Sequence, residues 1–256
     1  KTEQEVLDSN QAVLTKITPQ LKKLFSVKPK TPFEIRAVES FRAAAAAPQY
    51  NASSADGTRP GIYYIPILDP AKMNTTNWPL EATFLHEAIP GHHYQYSLMR
   101  EDTTLPKLRR FAWYPAFAEG WALYCESLGE QLGCYTDPYQ RMGAYGTEIH
   151  RAIRLVVDVG LHTGKMTREE AIKYMMDNES ISEQIATQEI ERYMAMPGQA
   201  LSYKAGELKI KELRDKYQKQ LGAKFSLREF HDALLKGGAM PLSVLDMYMD
   251  DWAKGK

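Results

Sequence analysis

The sequence lacks the features that mark disulfide-built, nucleic-acid-binding and membrane-spanning proteins. It has 2 cysteines in 256 residues, Cys125 and Cys134, too few for a disulfide framework. Its 32 basic and 32 acidic side chains cancel to a formal net charge of zero, so no basic surplus points to nucleic acid. No run of about 18 apolar residues occurs, and we expect no membrane span. The chain opens at Lys1 without a recognisable signal peptide, so we expect a trimmed portion of a longer protein.

A cluster of histidines between residues 84 and 96 carries the strongest chemical signal. Three of the six histidines, His86, His92 and His93, lie there, and Glu87 directly follows the first. Zinc hydrolases carry the pattern H-E-x-x-H on a helix, where the two imidazoles hold the metal and the glutamate faces the metal-bound water. The sequence therefore predicts a zinc site in this segment.

The spacing departs from that pattern, because Pro90 occupies position i+4 after His86. Proline removes a backbone donor and clashes with the preceding turn, so the helix must kink or bulge, and Gly91 gives the backbone freedom to do so. A bulge of two residues would put His92 in the place of the second ligand. Without a bulge, His93 shares a face with His86 but lies about 10 Å further along the axis. We favour His92 as the second ligand and keep His93 as the alternative. The histidine that does not bind the metal would point into the cleft or support the ligands.

A third protein ligand must come from another element. Glu119 and Glu126 lie seven residues apart on one face of a predicted helix, beside apolar residues such as Ala122 and Leu123. A carboxylate on a buried face needs a partner, because desolvating it alone costs on the order of several kcal/mol. We assign Glu119 as a metal ligand and Glu126 to the support of a ligand imidazole. The alternative is that both carboxylates face solvent.

Amide hydrolysis also needs a hydrogen-bond donor for the oxyanion that forms on the carbonyl. Tyr203 is the first candidate, His162 the second and Tyr193 the third, with a packing role as the alternative for each. Further candidates for substrate binding or for support of the site are Tyr63, Tyr64, Gln199, Lys204, Arg151 and Arg154. The two arginines lie on a helix with an apolar stripe, where they could pair with the candidate carboxylates or with a substrate C-terminus; a solvated face is the alternative.

Hydrophobic periodicity predicts a mostly α fold in a single domain, residues 1–256. Helices are expected over 2–25 with a kink or split at Pro19, and over 33–47, 78–99, 115–132, 137–163, 168–177, 182–194, 200–220, 226–236 and 241–253. Loops are expected over 49–61 and 70–78. The segment 62–68 has the strongest strand pattern, and Pro66 places it at a sheet edge or at the end of the strand. An edge strand could pair with an extended peptide. The expected architecture is a multi-helix bundle with a short β edge strand or small sheet next to the metal-binding helix.

Four motifs in order resemble the DUF885 family: Gly57–Tyr64, His86–His93, Glu119–Tyr124 and Pro197–Lys204. The resemblance extends over most of the chain from about residue 50 onward. It implies a bacterial periplasmic or secreted protein or lipoprotein, of which this chain resembles the C-terminal, motif-bearing half. The family is in turn similar to the mostly helical, zincin-like zinc peptidases of the thimet-oligopeptidase type. In those enzymes a second Glu follows the ligand Glu by seven residues, as Glu126 follows Glu119.

Together these patterns favour a zinc-dependent metallopeptidase, with Zn²⁺ as cofactor and a peptide or small amide as substrate. The hypothesis is hydrolysis of the peptide bond by a zinc-activated water, with Glu87 as the general base. Two alternatives stay open. One is a metal-dependent hydrolase of a non-peptide amide or ester, and the other is a non-catalytic binding domain with a degenerate metal site.

Overall fold

Helices make up most of the chain, as the hydrophobic periodicity predicts. The computed structural model describes residues 1–44, 46–71 and 78–256. Its helices are α1 (Glu3–Leu24), α2 (Ser40–Ala43), α3 (Leu80–Glu87), α4 (His92–Glu101), α5 (Lys107–Phe111), α6 (Pro115–Glu126), α7 (Pro138–His162), α8 (Arg168–Asn178), α9 (Glu183–Ala195), α10 (Ser202–Leu221), α11 (Leu227–Lys236) and α12 (Leu242–Lys254). Short 3₁₀ turns cover Glu130–Leu132 and Gly222–Lys224. The predicted multi-helix architecture with a small sheet is confirmed.

The sheet has three strands in the described residues: β1 (Phe33–Ala37), β2 (Gln49–Asn51) and β3 (Gly61–Ile65), in the order β1-β3-β2. β1 runs parallel to β3, with Ile35 opposite Tyr63, and β2 runs antiparallel to β3, with Tyr50 opposite Tyr63. Of the two expected positions for Pro66, a sheet edge is wrong and the end of the strand is confirmed. β3 is central, and Pro66 lies just beyond its last residue, where its missing N–H removes no ladder hydrogen bond.

The expected helix over 33–47 is wrong, because its first part is strand β1 and only α2 is helical. Phe33, Ile35 and Ala37 are partly buried, while Glu34 and Arg36 between them are exposed. This alternation with a period of two fits a strand. The expected loop over 49–61 likewise contains β2.

Several helix boundaries also differ from expectation. α1 continues through Pro19 without a split. The expected helix over 115–132 ends at Glu126 and is followed by a 3₁₀ turn, and the expected helix over 78–99 is two helices, α3 and α4. Most of the expected loop over 70–78, residues 72–77, lies outside the described residues.

Helix α6 lies in the middle of the molecule, and every residue from Phe117 to Glu126 is buried. It packs closely along α10, where Gly120 and Gly206 face each other. A methyl group on Gly120 would lie 2.4 Å from Gly206 Cα, so the contact requires a glycine there. α6 thus carries Glu119 and Glu126 in a fixed position inside the protein.

The apolar interior has two parts. The main part surrounds α6, and a smaller one joins the second half of α7 to α8 and α9. The smaller part contains Ile153, Val157, Ala171, Ile172, Met175, Ala186, Ile190, Tyr193 and Ala200. Elements of both parts line the cavity described below.

Candidate metal centre

The histidine segment folds as two helices separated by a break at residues 88–91. Ala88 leaves helical geometry with φ −102° and ψ −100°, and Gly91 has φ −73° and ψ −128°. A Cβ on Gly91 would lie 1.9 Å from the carbonyl oxygen of His86, so only glycine fits this approach. Trp121 Nε1 on α6 donates a hydrogen bond to the carbonyl of Pro90 at 2.9 Å. The break is therefore anchored to the helix that carries the candidate carboxylates.

This break brings His92, the first residue of α4, against His86 in the last turn of α3. His86 Nε2 lies 3.4 Å and His92 Nε2 lies 3.3 Å from Glu119 Oε2. All three side chains are buried, and one ligand atom from each lies within 4.8 Å of the others. With zinc-to-ligand distances of about 2.0–2.1 Å, two ligands of a tetrahedral site lie roughly 3.3–3.4 Å apart. The two measured separations fit that value.

Glu119 has a buried oxygen that lacks a hydrogen-bond partner, as a carboxylate that binds a metal would when the metal is absent. Its Oε2 atom is buried and has no hydrogen-bond partner, although two imidazole nitrogens lie close to it. A buried carboxylate oxygen without a partner is costly. A cation between Glu119, His86 and His92 would satisfy it.

Glu126 orients His86 from behind. Glu126 Oε1 lies 2.8 Å from His86 Nδ1, and Glu126 Oε2 accepts a hydrogen bond from Thr147 Oγ1 at 2.6 Å. Burial opposes ionisation of Glu126, but Arg151 and His86 outweigh it and hold its pKa below the ordinary value. Since an ionised carboxylate only accepts, His86 Nδ1 is the donor to Glu126, and Nε2 is the nitrogen that faces Glu119 and would ligate a metal once it carries no proton. The sequence-based role of Glu126 as the support of a ligand imidazole matches this geometry.

His93 points away from the other two histidines. Its Nδ1 atom lies 2.9 Å from Tyr50 Oη and 3.3 Å from Ser97 Oγ, and its ring packs on Phe33. Burial lowers the pKa of His93 to about 4, so the ring is neutral at pH 7. The structure therefore brings His92, and not His93, beside His86 and Glu119.

Burial disfavours the charged forms of His86, Glu119 and Glu87, and the neighbouring groups outweigh it for the first two only. Burial disfavours the imidazolium form of His86, but its contacts with Glu119 and Glu126 raise its pKa to about 9. Burial also disfavours the ionised form of Glu119, yet His92 and His86 bring its pKa below the ordinary value. Burial raises the pKa of Glu87, although the two histidines act against it.

His86, His92 and Glu119 line a cavity of about 1140 Å³, together with Glu87 and Tyr203. The ring of Tyr203 stacks on that of His86 at a centroid distance of 6.1 Å and an angle of 21°. Gln199 Nε2 donates to Tyr203 Oη at 3.3 Å. The base candidate Glu87 and the first oxyanion-donor candidate Tyr203 thus line the same cavity as the candidate ligands.

Other predicted residues differ in how near they lie to this cavity. Arg151 and Arg154 line it. Tyr193, Gln199, Lys204, His162, Tyr63 and Tyr64 are not among the residues that line it. Tyr193 Oη, one layer behind, accepts from Arg154 Nε at 2.8 Å, whereas His162 Nε2 donates to the backbone carbonyl of Tyr193 at 3.0 Å.

Lys204 Nζ donates to Glu148 and, at 2.7 Å, to Glu207, so its charge is already paired. Tyr63 is buried in the sheet against Phe84.

Sequence reasoning missed several residues of the cavity wall: Tyr50, Tyr96, Trp113, Thr147, Glu189 and Arg192. Tyr96 stacks on His92 at 5.6 Å and Trp113 stacks on Tyr96 at 6.1 Å. Tyr96 comes one helical turn after the ligand candidate His92, which was a usable signal. The others reach the cavity from distant parts of the chain.

Comparison with known proteins assigns the chain to a family. Residues 1–249 match the family model for the bacterial proteins of unknown function termed DUF885. The chain belongs to the DUF885 family. The match starts at residue 1, so the expected beginning of the resemblance near residue 50 is too late. No curated protein matches this DUF885 chain.

Solved structures share the fold of this DUF885 chain. A candidate lipoprotein from Colwellia psychrerythraea is 41% identical, with a TM-score of 0.94 over 99% of this chain and 43% of that one. A candidate lipoprotein of unknown function from Shewanella oneidensis is 22% identical, with a TM-score of 0.82 over 97% of this chain and 46% of that one. The DUF885 chain spans less than half the length of either protein. Within the ranges that the structure describes, no helix has both the length and the apolar character needed to cross a bilayer.

Proposed function

We propose that this protein is a zinc-dependent hydrolase that cleaves peptide bonds. The observation that carries the proposal is the convergence of His86 Nε2 and His92 Nε2 on Glu119 Oε2, at 3.4 and 3.3 Å, in the wall of a cavity that Glu87 also lines. Two imidazoles and one carboxylate form the protein ligand set of a catalytic zinc site, which leaves a fourth position for water or substrate. A purely structural site would have no use for Glu87.

His86, His92 and Glu119 would hold the ion, and Glu126 would keep His86 in the ligating tautomer. A bound zinc ion lowers the pKa of a coordinated water to about 7 and polarises a carbonyl. Glu87 then takes the proton of the attacking water and passes it to the leaving amine. Tyr203 donates a hydrogen bond to the oxyanion on the former carbonyl, which lowers the barrier because a donor already in place stabilises the charge as it develops.

Two features of the cavity favour a peptide over a smaller amide or ester. The cavity, at about 1140 Å³, is as large as the largest small-molecule pockets. Gln49 and Tyr50 of β2, an outer strand of the described sheet, line it. An outer strand can pair with an extended peptide through its backbone. The order of Glu87, Glu119 and Glu126 after the first histidine is also that of thimet-oligopeptidase-type zinc peptidases, which supports the same reading.

Metal analysis tests whether the protein binds zinc through these residues. Purified protein dialysed against zinc should retain roughly one ion per chain. His86→Ala and Glu119→Ala should lose it. His162→Ala is the matched control, because His162 does not line the cavity and should leave the zinc content unchanged. Equal zinc content in all four proteins would contradict the assignment.

A Glu87→Gln variant tests whether Glu87 is the general base in peptide hydrolysis. It should keep its zinc and lose about 10²- to 10⁴-fold in turnover of peptides, since only the base is removed. A substrate panel of peptides, aryl amides and esters measures the preference for peptide bonds. Wild-type turnover in Glu87→Gln would exclude the proposed role of Glu87, and hydrolysis of esters alone would exclude a peptidase.

A further inference from the structure

Arg151 on α7 differs from the arginines beside it in how few protein partners it has. Arg154 donates to Tyr193 Oη at 2.8 Å and to Glu189 Oε2 at 3.0 Å. Arg192 donates to Gln199 Oε1 at 2.9 Å and to the same oxygen of Glu189 at 3.0 Å. Arg151 makes one long hydrogen bond within the described structure, from Nη1 to the carbonyl of Thr147 at 3.3 Å, and its buried Nε atom has no partner.

Glu126 is the nearest carboxylate to Arg151 and attracts its charge, but each of its oxygens accepts a hydrogen bond from another side chain and neither accepts one from Arg151. Oε1 accepts from His86 Nδ1 and Oε2 accepts from Thr147 Oγ1, at 2.8 and 2.6 Å. Arg151 Nη2 lies 3.9 Å from Oε1, beyond hydrogen-bond distance. The Glu126 side chain is 5% exposed and that of Arg151 is 19% exposed, and Arg151 lines the cavity. Its guanidinium therefore keeps donors available to a ligand.

The position of Arg151 relates it to the candidate metal centre. Its guanidinium carbon lies 5.8 Å from the centre of the Tyr203 ring, and that ring stacks on His86. Arg154 covers the same ring at 4.8 Å. Arg100 and Arg110 also line the cavity and also have a buried Nε without a partner, but Arg100 Nη1 donates to the carbonyl of Ser53 and Arg110 Nη2 to that of Arg100. The guanidinium of Arg151, with donors that have no protein partner, is thus separated from the candidate ligand His86 by the ring of Tyr203.

We infer that Arg151 binds the terminal carboxylate of the substrate, so that the site releases residues from the C-termini of peptides. This inference rests on the proposed function. A guanidinium matches a carboxylate with paired, charge-assisted hydrogen bonds, which neither a peptide group nor an ester offers. In the reaction, the hydroxyl of one water joins the scissile carbonyl carbon and its remaining proton joins the leaving nitrogen as the C–N bond breaks. The products are one free amino acid and a peptide shortened by one residue.

A binding measurement tests this independently of turnover. The probes are N-acetyl-Ala-Ala-Phe with a free carboxylate and the same peptide as its C-terminal amide. Each is titrated calorimetrically into the zinc-loaded Glu87→Gln protein, which should not consume them. We expect the acid to bind about ten- to a hundredfold more tightly than the amide.

Two further variants, each combined with Glu87→Gln, assign the preference. Arg151→Met keeps the aliphatic stem and should bind acid and amide equally. Arg141→Met is the matched control, because Arg141 lies exposed on the same helix and pairs with Glu130. It should keep the full preference. Because acid and amide are compared on the same sample, any loss of folded protein affects both affinities alike.

The outcomes separate this inference from the proposed function. Equal binding of acid and amide to the Glu87→Gln protein, an unchanged preference in Arg151→Met, or no binding of either probe up to millimolar concentration would overturn the carboxylate assignment. A clear acid preference lost in Arg151→Met would support it even if the wild-type protein hydrolysed neither probe, a result that would count against the proposed peptidase activity alone.

Discussion

Replacing Glu126 by glutamine removes the negative charge behind His86 while keeping the shape of the side chain. In the wild-type protein Glu126 accepts hydrogen bonds from His86 Nδ1 at 2.8 Å and from Thr147 Oγ1 at 2.6 Å, and it is 5% exposed. The glutamine carbonyl can still accept from the imidazole, and its amide can donate to the threonine hydroxyl. The variant therefore isolates the effect of the charge on the ligand.

The expected magnitude follows from the change in that one buried hydrogen bond. A hydrogen bond to a charged group contributes about 1.5–3 kcal/mol, and a neutral one about 0.5–1.5 kcal/mol. The difference of roughly 1–1.5 kcal/mol corresponds to about a tenfold weaker zinc affinity. Losses of 10- to 100-fold are usual when the outer partner of a zinc-bound histidine is removed. Glu126→Gln should thus lie at the lower end of that range.

Competition with a chromophoric chelator at pH 7 measures the zinc dissociation constant directly. Glu130→Gln is the control, since the Glu130 side chain is 63% exposed and pairs with Arg141 at the surface. Its zinc affinity should equal that of the wild-type protein. Wild-type affinity in Glu126→Gln would refute the role assigned to the carboxylate, and an equal loss in both variants would show that the effect is not local.

Two further predictions concern the framework around the site. Gly120→Ala should lower the free energy of unfolding, measured in urea titrations, by about 1–3 kcal/mol, because its methyl group would lie 2.4 Å from Gly206 Cα. Gly146→Ala is the control: the space around Gly146 is open, so this change should be neutral or stabilise the helix by up to about 1 kcal/mol. Burial lowers the pKa of His231 to about 4, below the ordinary 6.5, so the unfolded chain binds the extra proton and stability is lost as the pH falls from 6.5 to 4. Between pH 7 and pH 4 the wild-type protein should lose about 3 kcal/mol more than His231→Gln, and parallel pH profiles would contradict this.

The parts of the candidate site that are close together along the chain could be proposed from the sequence. His86, Glu87 and His92 lie within seven residues of one another. Glu119 and Glu126 are two helical turns apart on one face of a helix. Residue types and spacing along the chain are therefore enough to suggest the site. A carboxylate on an otherwise apolar helix is itself a signal, because burial makes an unpaired charge costly. These residues could be proposed without any knowledge of the fold.

The parts that depend on contacts between distant segments could not be predicted. Thr147 reaches Glu126, and Tyr50 reaches His93, only because α7 and β2 pack against the histidine helices. No local pattern marks either residue. His162 shows the opposite failure: its residue type suggested a donor, but the tertiary contact places it on the carbonyl of Tyr193.

The break at residues 88–91 explains how a spacing of six residues can serve a metal site. In a continuous helix, six residues turn the chain by about 600°, so His86 and His92 would point about 120° apart and lie about 9 Å apart along the axis. Ending α3 at Glu87 and starting α4 at His92 removes both separations, and the two rings meet at a centroid distance of 4.9 Å. The same break leaves Glu87 as the last residue of its helix, lining the same cavity as the candidate ligands. The Pro-Gly pair thus supplies the change of direction by which His86 and His92 meet across a six-residue spacing.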